Sequence, residues 1–288
     1  MHKTVTGHHG AERGHWVGDG FPVRTLFSYH ALQRQISPFL LLDYGGPHYF
    51  APATHKRGVG QHPHRGFETV TIVYDGQLEH RDSAGNGGTI GPGDVQWMTA
   101  GAGIVHEEYH APGFTRTGGP MSFAQLWVNL PARDKMVPPA YQGIVASDIP
   151  VVTLMDDSGS ARVIAGELLG ATGPARTFTP VNVWDLRLSD TARLTLDLPE
   201  GHTAILAVLS GHITLDGGQG VGAAEIVLLS REGSAIGIAA DGAAKVLVLT
   251  GEPIDEPLIG NGPFVMNTEA EIVQAYKDFS EGRFMSAG

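Results

Sequence analysis

Along this chain the apolar positions come in short runs separated by glycine, proline and small polar residues, the pattern of strands joined by tight turns. VRTLFSYHAL and SPFLLLDYGG, between Val23 and Gly46, predict two strands, the second a continuous apolar run suited to burial on both sides. FETVTIVYDG is rich in Val, Ile, Thr and Tyr and closes at Gly76. Pro92-Gly93-Asp94 predicts a tight turn before VQWMT. MSFAQLWVNLP, over 121–131, alternates apolar and polar residues, and Phe123 and Trp127 read as core more readily than as ligand contacts. The second half repeats the style, with short strands and turns from VWDLRL to KVLVLTGEP spaced about 8 to 12 residues apart, as in a sandwich or barrel. One helix stands out, over 268–281. Thr268 and Glu271 form a capping box, Ile272, Tyr276 and Phe279 an apolar stripe that should dock on a barrel, and Gly282 a stop.

A chain of 288 residues exceeds the usual single domain, and Pro131, Pro138, Pro139 and Pro150 crowd its middle. The expected division is an N-terminal domain over 1–135 and a C-terminal domain over 136–288 that carries the helix. With 40 glycines, 18 prolines and 17% charged residues, the composition supports an all-β protein. The formal charge of −11 and the lack of basic runs remove the footprint of direct nucleic-acid binding and of attraction to anionic membranes. Lys56-Arg57 reads as a solvated turn. Zero cysteines exclude disulfides and thiolate ligands. The first twenty residues hold no apolar core of signal-peptide length, and no stretch matches a bilayer span, so a cytoplasmic protein is expected, as a monomer or weak homo-oligomer.

The candidate chemistry lies in the histidines. Of 14, 12 fall in the first 110 residues. Random placement would give roughly 0.7 His-x-His pairs, so His62-Pro63-His64 alone is weak as a motif. Its position is more informative. Residues two apart on a strand share a face, so His62 and His64 point together, and so do His106 and Glu108, with Glu107 turned away. Pro63 donates no backbone hydrogen bond and favours extended geometry at His62. If turns fold the two ends of this stretch together, three neutral imidazoles and a carboxylate would bind a divalent first-row metal and leave positions open.

Other features read more simply. His80 and Asp82 could reach the mouth of such a site, although a hairpin turn explains Asp-Ser-x-Gly equally well. His8 and His9 suit a flexible terminus, His30 a structural histidine, and His202 and His212 exposed turns. His110 shares parity with His106 but falls towards the strand's end. AGAG before His106 and GGQGVGAAE at 217–225 lack the strand, lysine and helix of a phosphate loop, and the second reads as a hairpin connection.

HPHRGFETVT at 62–71, GDVQWMTAGAGIVHEE at 93–108 and GNGPFVMNTEAEIVQAYKDFSEGRF at 260–284 resemble the pirin family, a branch of the cupin superfamily. The resemblance spans nearly the whole chain. It implies two cupin, jelly-roll-like β-barrels with one metal, usually taken as iron(II), in the first. Matched by position, the ligands are His62, His64, His106 and Glu108. The general cupin pattern instead takes its carboxylate from the first block, where Glu68 stands; the pirin pattern favours Glu108 and leaves Glu68 as a supporting group. The imidazole and carboxylate donors would equally accept nickel, copper, manganese or zinc.

The resemblance further implies flavonol 2,3-dioxygenase activity, with a small aromatic substrate such as quercetin, and O2, meeting at the metal. Glu108 would act as general base on the 3-hydroxyl. Members of the same family also act as non-catalytic regulators that bind a protein partner according to metal redox state. In this chain the metal would be the only redox element, and the acidic surface suits a protein partner. A sugar-phosphate isomerase is disfavoured, since no Arg or Lys cluster accompanies the ligands.

Overall fold

The computed structural model describes residues 1–284, so the last four residues of the domain expected over 136–288 lie outside the described residues. Strands dominate, as the alternating pattern predicts. The longest helix among the described residues is Glu269–Ser280, and the expected capping box is present at its start. Between the two strands expected over 23–46, now Phe21–Ser28 and Phe39–Phe50, the chain makes a short helical passage over 29–36. That passage leaves His30 exposed rather than buried in a structural role.

The chain forms two compact units, and each interleaves segments from distant parts of the sequence. Among the described residues one comprises 14–24, 42–146 and 254–284, the other 1–13, 25–41 and 147–253. This differs from a division at 135/136. The proline-rich passage does hold a changeover, at Ala146 and Ser147, but the Ala140–Ile144 strand beyond the expected boundary still pairs with Val95–Thr99. At the amino terminus Val5–Gly10 pairs with Glu225–Leu229, so His8 and His9 lie in a ladder and not in a flexible end. Backbone groups in a ladder are satisfied locally wherever their partner lies in sequence, which is why linear order is a poor guide here.

Each unit is built from a seven-stranded and a four-stranded antiparallel sheet. In the second unit Leu206, Val227 and Val248 of the large sheet share one core with Leu196, Ile213 and Ile238 of the small one. The glycine-rich segment at 217–225 serves the expected hairpin, with His212–Leu215 pairing back on Gly220–Gly222. His212 is exposed as expected, whereas His202 is half-buried.

In the first unit the small sheet runs Gly58–His64, Ile104–His110, Leu78–Asp82, Gly87–Ile90. Val73 and Phe123 of the large sheet meet Leu78 and Ile90 of the small one in a shared core, which defines the inner face of each. Phe123 is core as predicted. The carboxy-terminal helix belongs to this unit, where Ile272 and Ala275 dock on Val105, Phe264 and Met266. The buried stripe differs from the expected one. It runs Ile272, Ala275, Asp278, leaving Tyr276 and Phe279 at the margin, because the Asp278 carboxylate accepts a hydrogen bond from buried Arg65 at 2.9 Å.

Candidate metal centre

The site grows from one sheet face. In the ladder His106 stands opposite His62 on one side and Asp82 on the other, while Glu108 stands opposite His80. Directly paired residues share a face, so all of these side chains point the same way. The Ile104–His110 strand is regular, and the irregularity falls on its neighbour, where Val59 to His62 spans the length that Glu108 to His106 spans in one residue fewer. The extra residue lies at Gly60-Gln61, which places the Gly60 carbonyl where it accepts from His62 Nδ1 at 2.9 Å.

His62, His64 and His106 converge. Their ring centroids lie 4.2 to 4.9 Å apart, and each offers a ligand atom within 4.8 Å of the others. Their outer nitrogens are all engaged: His62 Nδ1 with the Gly60 carbonyl, His64 Nδ1 with the Pro263 carbonyl at 3.4 Å, and His106 Nδ1 with His80 Nδ1 at 3.4 Å. A nitrogen that donates to a carbonyl carries the ring's proton, which leaves a lone pair on Nε2. His106 Nε2 is buried without a hydrogen-bond partner among the described residues. Burial, reinforced by neighbouring His62 and opposed by the Pro263 carbonyl, lowers the His64 pKa to about 3. Burial, with the neighbouring histidines, takes His106 well below the ordinary imidazole range. Neutral imidazoles presenting lone pairs to one space fit a divalent first-row cation, and a buried unpartnered Nε2 has an obvious use there.

Glu108, the fourth residue expected from sequence, is half-buried beside this trio. It groups with His80 and His106, and its Oε1 accepts from Gln96 Nε2 at 3.1 Å. The structure thus brings three of the four predicted residues into one cluster and sets the carboxylate next to it. For His80 and Asp82 the sequence leaves open a place at the mouth or a plain hairpin turn, and Asp82 does hold the turn, with Oδ1 accepting from the Ala84 and Asn86 amides. The side chains of His80 and Asp82 are 1% and 0% exposed, and they lie behind His106 because ladder pairing places them across from Glu108 and His106 on the buried face.

Glu68 takes no part. It pairs with Thr99 on the large sheet, whereas Gln96, three residues before Thr99, is the side chain that touches His80 and Glu108. Positions three apart on a strand face opposite ways, so Glu68 points away from the histidines. The parity that would have aligned it with His64 is broken at Gly66, whose φ of +87° turns the chain from the small sheet into the large one. A Cβ there would stand 2.1 Å from the Val265 carbonyl oxygen. Glu68 is instead a buried carboxyl that accepts from Thr99 Oγ1 at 2.7 Å, and burial pushes its pKa up to about 7.

Two contributors carry almost no signal in the sequence. Gln96 is fully buried, and its one mark is a polar residue at an alternate position in the apolar run VQWMT. Tyr141, stacked on His80 at 5.1 Å and 15°, donates its hydroxyl to Gln96 Oε1 at 3.4 Å; nothing in the proline-rich passage marks it. Burial, with the Glu108 and Asp82 charges, pushes its pKa up to about 12, so it remains a donor. Trp127, read as core, is half-buried; it packs edge-on against His64 at 5.4 Å and at a 33° tilt against buried Phe67 at 4.4 Å, beside the trio. His110 serves the core, with Nε2 donating to the Gly20 carbonyl at 2.8 Å among Phe21, Phe50 and Phe114.

Comparison with known proteins agrees with this architecture. The Pirin family matches residues 20–128, and the Pirin C-terminal cupin domain matches residues 183–285. A Pseudomonas aeruginosa protein named "Putative quercetin 2,3-dioxygenase PA2418" is 56% identical over 285 residues, 99% of each chain. A pirin-like protein of Solanum lycopersicum is 38% identical over 269 residues, covering 92% of this chain and 88% of that one. The crystal structure of a quercetin 2,3-dioxygenase from Acinetobacter baumannii superposes with a TM-score of 0.97 at 51% identity, covering 100% of both chains. With two cupin barrels and a family match over most of its length, the chain belongs to the pirin family.

Proposed function

We propose that this protein is a metal-dependent dioxygenase that opens flavonols such as quercetin at the 2,3-bond with O2, releasing carbon monoxide. The observation that carries the reading is the convergence of three imidazoles, each with its outer nitrogen engaged, beside a half-buried carboxylate. His62, His64 and His106 would hold the ion, with Glu108 as the carboxylate that completes the set. Iron(II) is the proposed occupant, and nickel, copper, manganese or zinc would suit the same donors. Once bound, such an ion offers open positions at which a chelating substrate and oxygen can be held close together.

The protein's own part is to bind the substrate, orient it and move one proton. Trp127, half-buried beside His64 and backed by the buried Phe67 ring, offers an aromatic side chain to pack against a planar flavonol. Glu108 is within reach of the trio without being locked into it, since Gln96 Nε2 donates to one of its oxygens. It can therefore take the proton of the substrate's 3-hydroxyl while the Gln96 amide steadies the carboxyl group in both protonation states. We place the protein in the cytoplasm, a reducing compartment with which a cysteine-free chain is compatible.

The test is direct. Ion-loaded protein mixed aerobically with quercetin is expected to bleach the flavonol absorbance and evolve carbon monoxide, and Glu108→Gln to slow bleaching by about 100-fold or more, the usual range for losing a general base. Bleaching no faster than in a metal-free control would remove the enzyme reading.

A further inference from the structure

Behind the histidine trio lies a second, fully buried polar chain that the dioxygenase reading does not use. His80 Nε2 is 3.3 Å from Asp82 Oδ2, and His80 Nδ1 is 3.4 Å from His106 Nδ1 and 3.3 Å from Gln96 Nε2. Asp82 Oδ1 accepts the backbone N–H groups of Ala84 and Asn86, both at 2.9 Å. His80, His106 and Glu108 also lie close enough to hold an ion of their own. The Gln96 amide, within hydrogen-bond distance of both His80 and Glu108, already satisfies the atoms that such an ion would need.

We propose that Asp82, His80 and Gln96 are positioning residues that fix the proton of His106 on Nδ1 and so present its Nε2 as a lone pair. The inference rests on the metal reading of the trio. The Tyr141 hydroxyl donates to Gln96 Oε1, so the Gln96 NH2 group is the one that faces Glu108 and His80. The same NH2 group faces His80 Nδ1, which must then be the bare nitrogen, and the His80 proton sits on Nε2, where it donates to Asp82. The one lone pair of His80 Nδ1 is shared between the Gln96 NH2 group and His106 Nδ1, and His106 Nδ1 can share it only if it bears hydrogen. His106 Nε2 is then a lone pair, in agreement with its being buried and unpartnered. His62 and His64 reach the same state through backbone carbonyls, which leaves His106 as the one member of the trio set by side chains.

Asp82→Asn is the informative change, because it keeps an oxygen for the Ala84 and Asn86 amides while replacing the acceptor opposite His80 with a donor. Nickel(II) affinity, measured by competition with a chromophoric chelator, is expected to fall by about 10- to 100-fold, the range for a lost partner of a ligating histidine. The folded metal-free protein should keep its thermal midpoint within a few degrees. Equal affinity within two-fold would overturn the proposal. Independently of any variant, 15N NMR of the metal-free parent is expected to show His106 protonated at Nδ1 and His80 at Nε2, and the reverse pattern would also overturn it. A parent that takes up no nickel contradicts the metal reading, whereas the NMR result still decides the proton arrangement.

Discussion

Glu68→Gln separates the two carboxylates that the sequence leaves in competition. Glu68 is 1% exposed, its Oε1 accepts from Thr99 Oγ1, and burial raises its pKa from 4.5 to about 7. An acid whose folded pKa is raised keeps its proton in the native state after the unfolded chain has released its own. Native protein therefore binds more protons between about pH 4.5 and 7, and its stability falls as pH rises through that window, levelling off above it. A shift of about 2.5 units corresponds to about 3 kcal/mol at pH 8. Glutamine carries no such charge, and its oxygen can still accept from Thr99. The variant is thus expected to match the parent within about 1 kcal/mol at pH 4.5 and to exceed it by about 2 to 3 kcal/mol at pH 8. Urea unfolding of parent and variant at both pH values isolates the effect, since every other titrating group cancels in the comparison. Ion uptake by the variant should equal the parent's. An unchanged pH dependence would refute the burial argument, and loss of the ion would return Glu68 to the ligand set.

Lys135 is 1% exposed and donates to Gly66 O at 2.8 Å, Asn129 Oδ1 at 2.7 Å and Val265 O at 2.9 Å, joining three segments next to His64. Lys135→Met relieves the burial that lowers this amine's pKa to about 7 but orphans three acceptors, so a net loss of about 2 to 3 kcal/mol is expected in urea unfolding. A methionine variant as stable as the parent would show that the amine's desolvation cancels its bonds. Thr268→Ala removes one half of the capping box of Glu269–Ser280 and should cost about 1 kcal/mol, read as faster amide exchange in that helix; unchanged exchange would mean that docking alone holds it.

Much of this arrangement is legible in the sequence, because a strand's period of two is strict. That period alone sets His62 with His64 and His106 with Glu108, and the capping box at Thr268 and Glu271 announces its helix. What escapes depends on contacts between residues far apart in the chain. Parity cannot reveal that Gly66 ends one sheet and begins another, and with it the fate of Glu68. Gln96 and Tyr141 belong to separate strands and carry no motif; their role appears only when the large sheet's inner face meets the small one's. The interleaving of 1–13 and 254–284 with remote segments is likewise a matter of ladder partners, which composition does not record. The stripe on the last helix differs from expectation for another reason. Asp278 is buried because Arg65 neutralises it, and an apolar-period argument has no way to count a paired charge as a core position.

The proposed centre holds one cation between His62, His64 and His106 with Glu108. Crystals soaked in nickel(II) or iron(II) and measured across the metal absorption edge test it most directly. The expected result is a single anomalous peak ringed by the three histidines, with the Glu108 oxygen not held by Gln96 turned towards it. No peak there, or one held by His80 and Glu108 without His62 and His64, would contradict it.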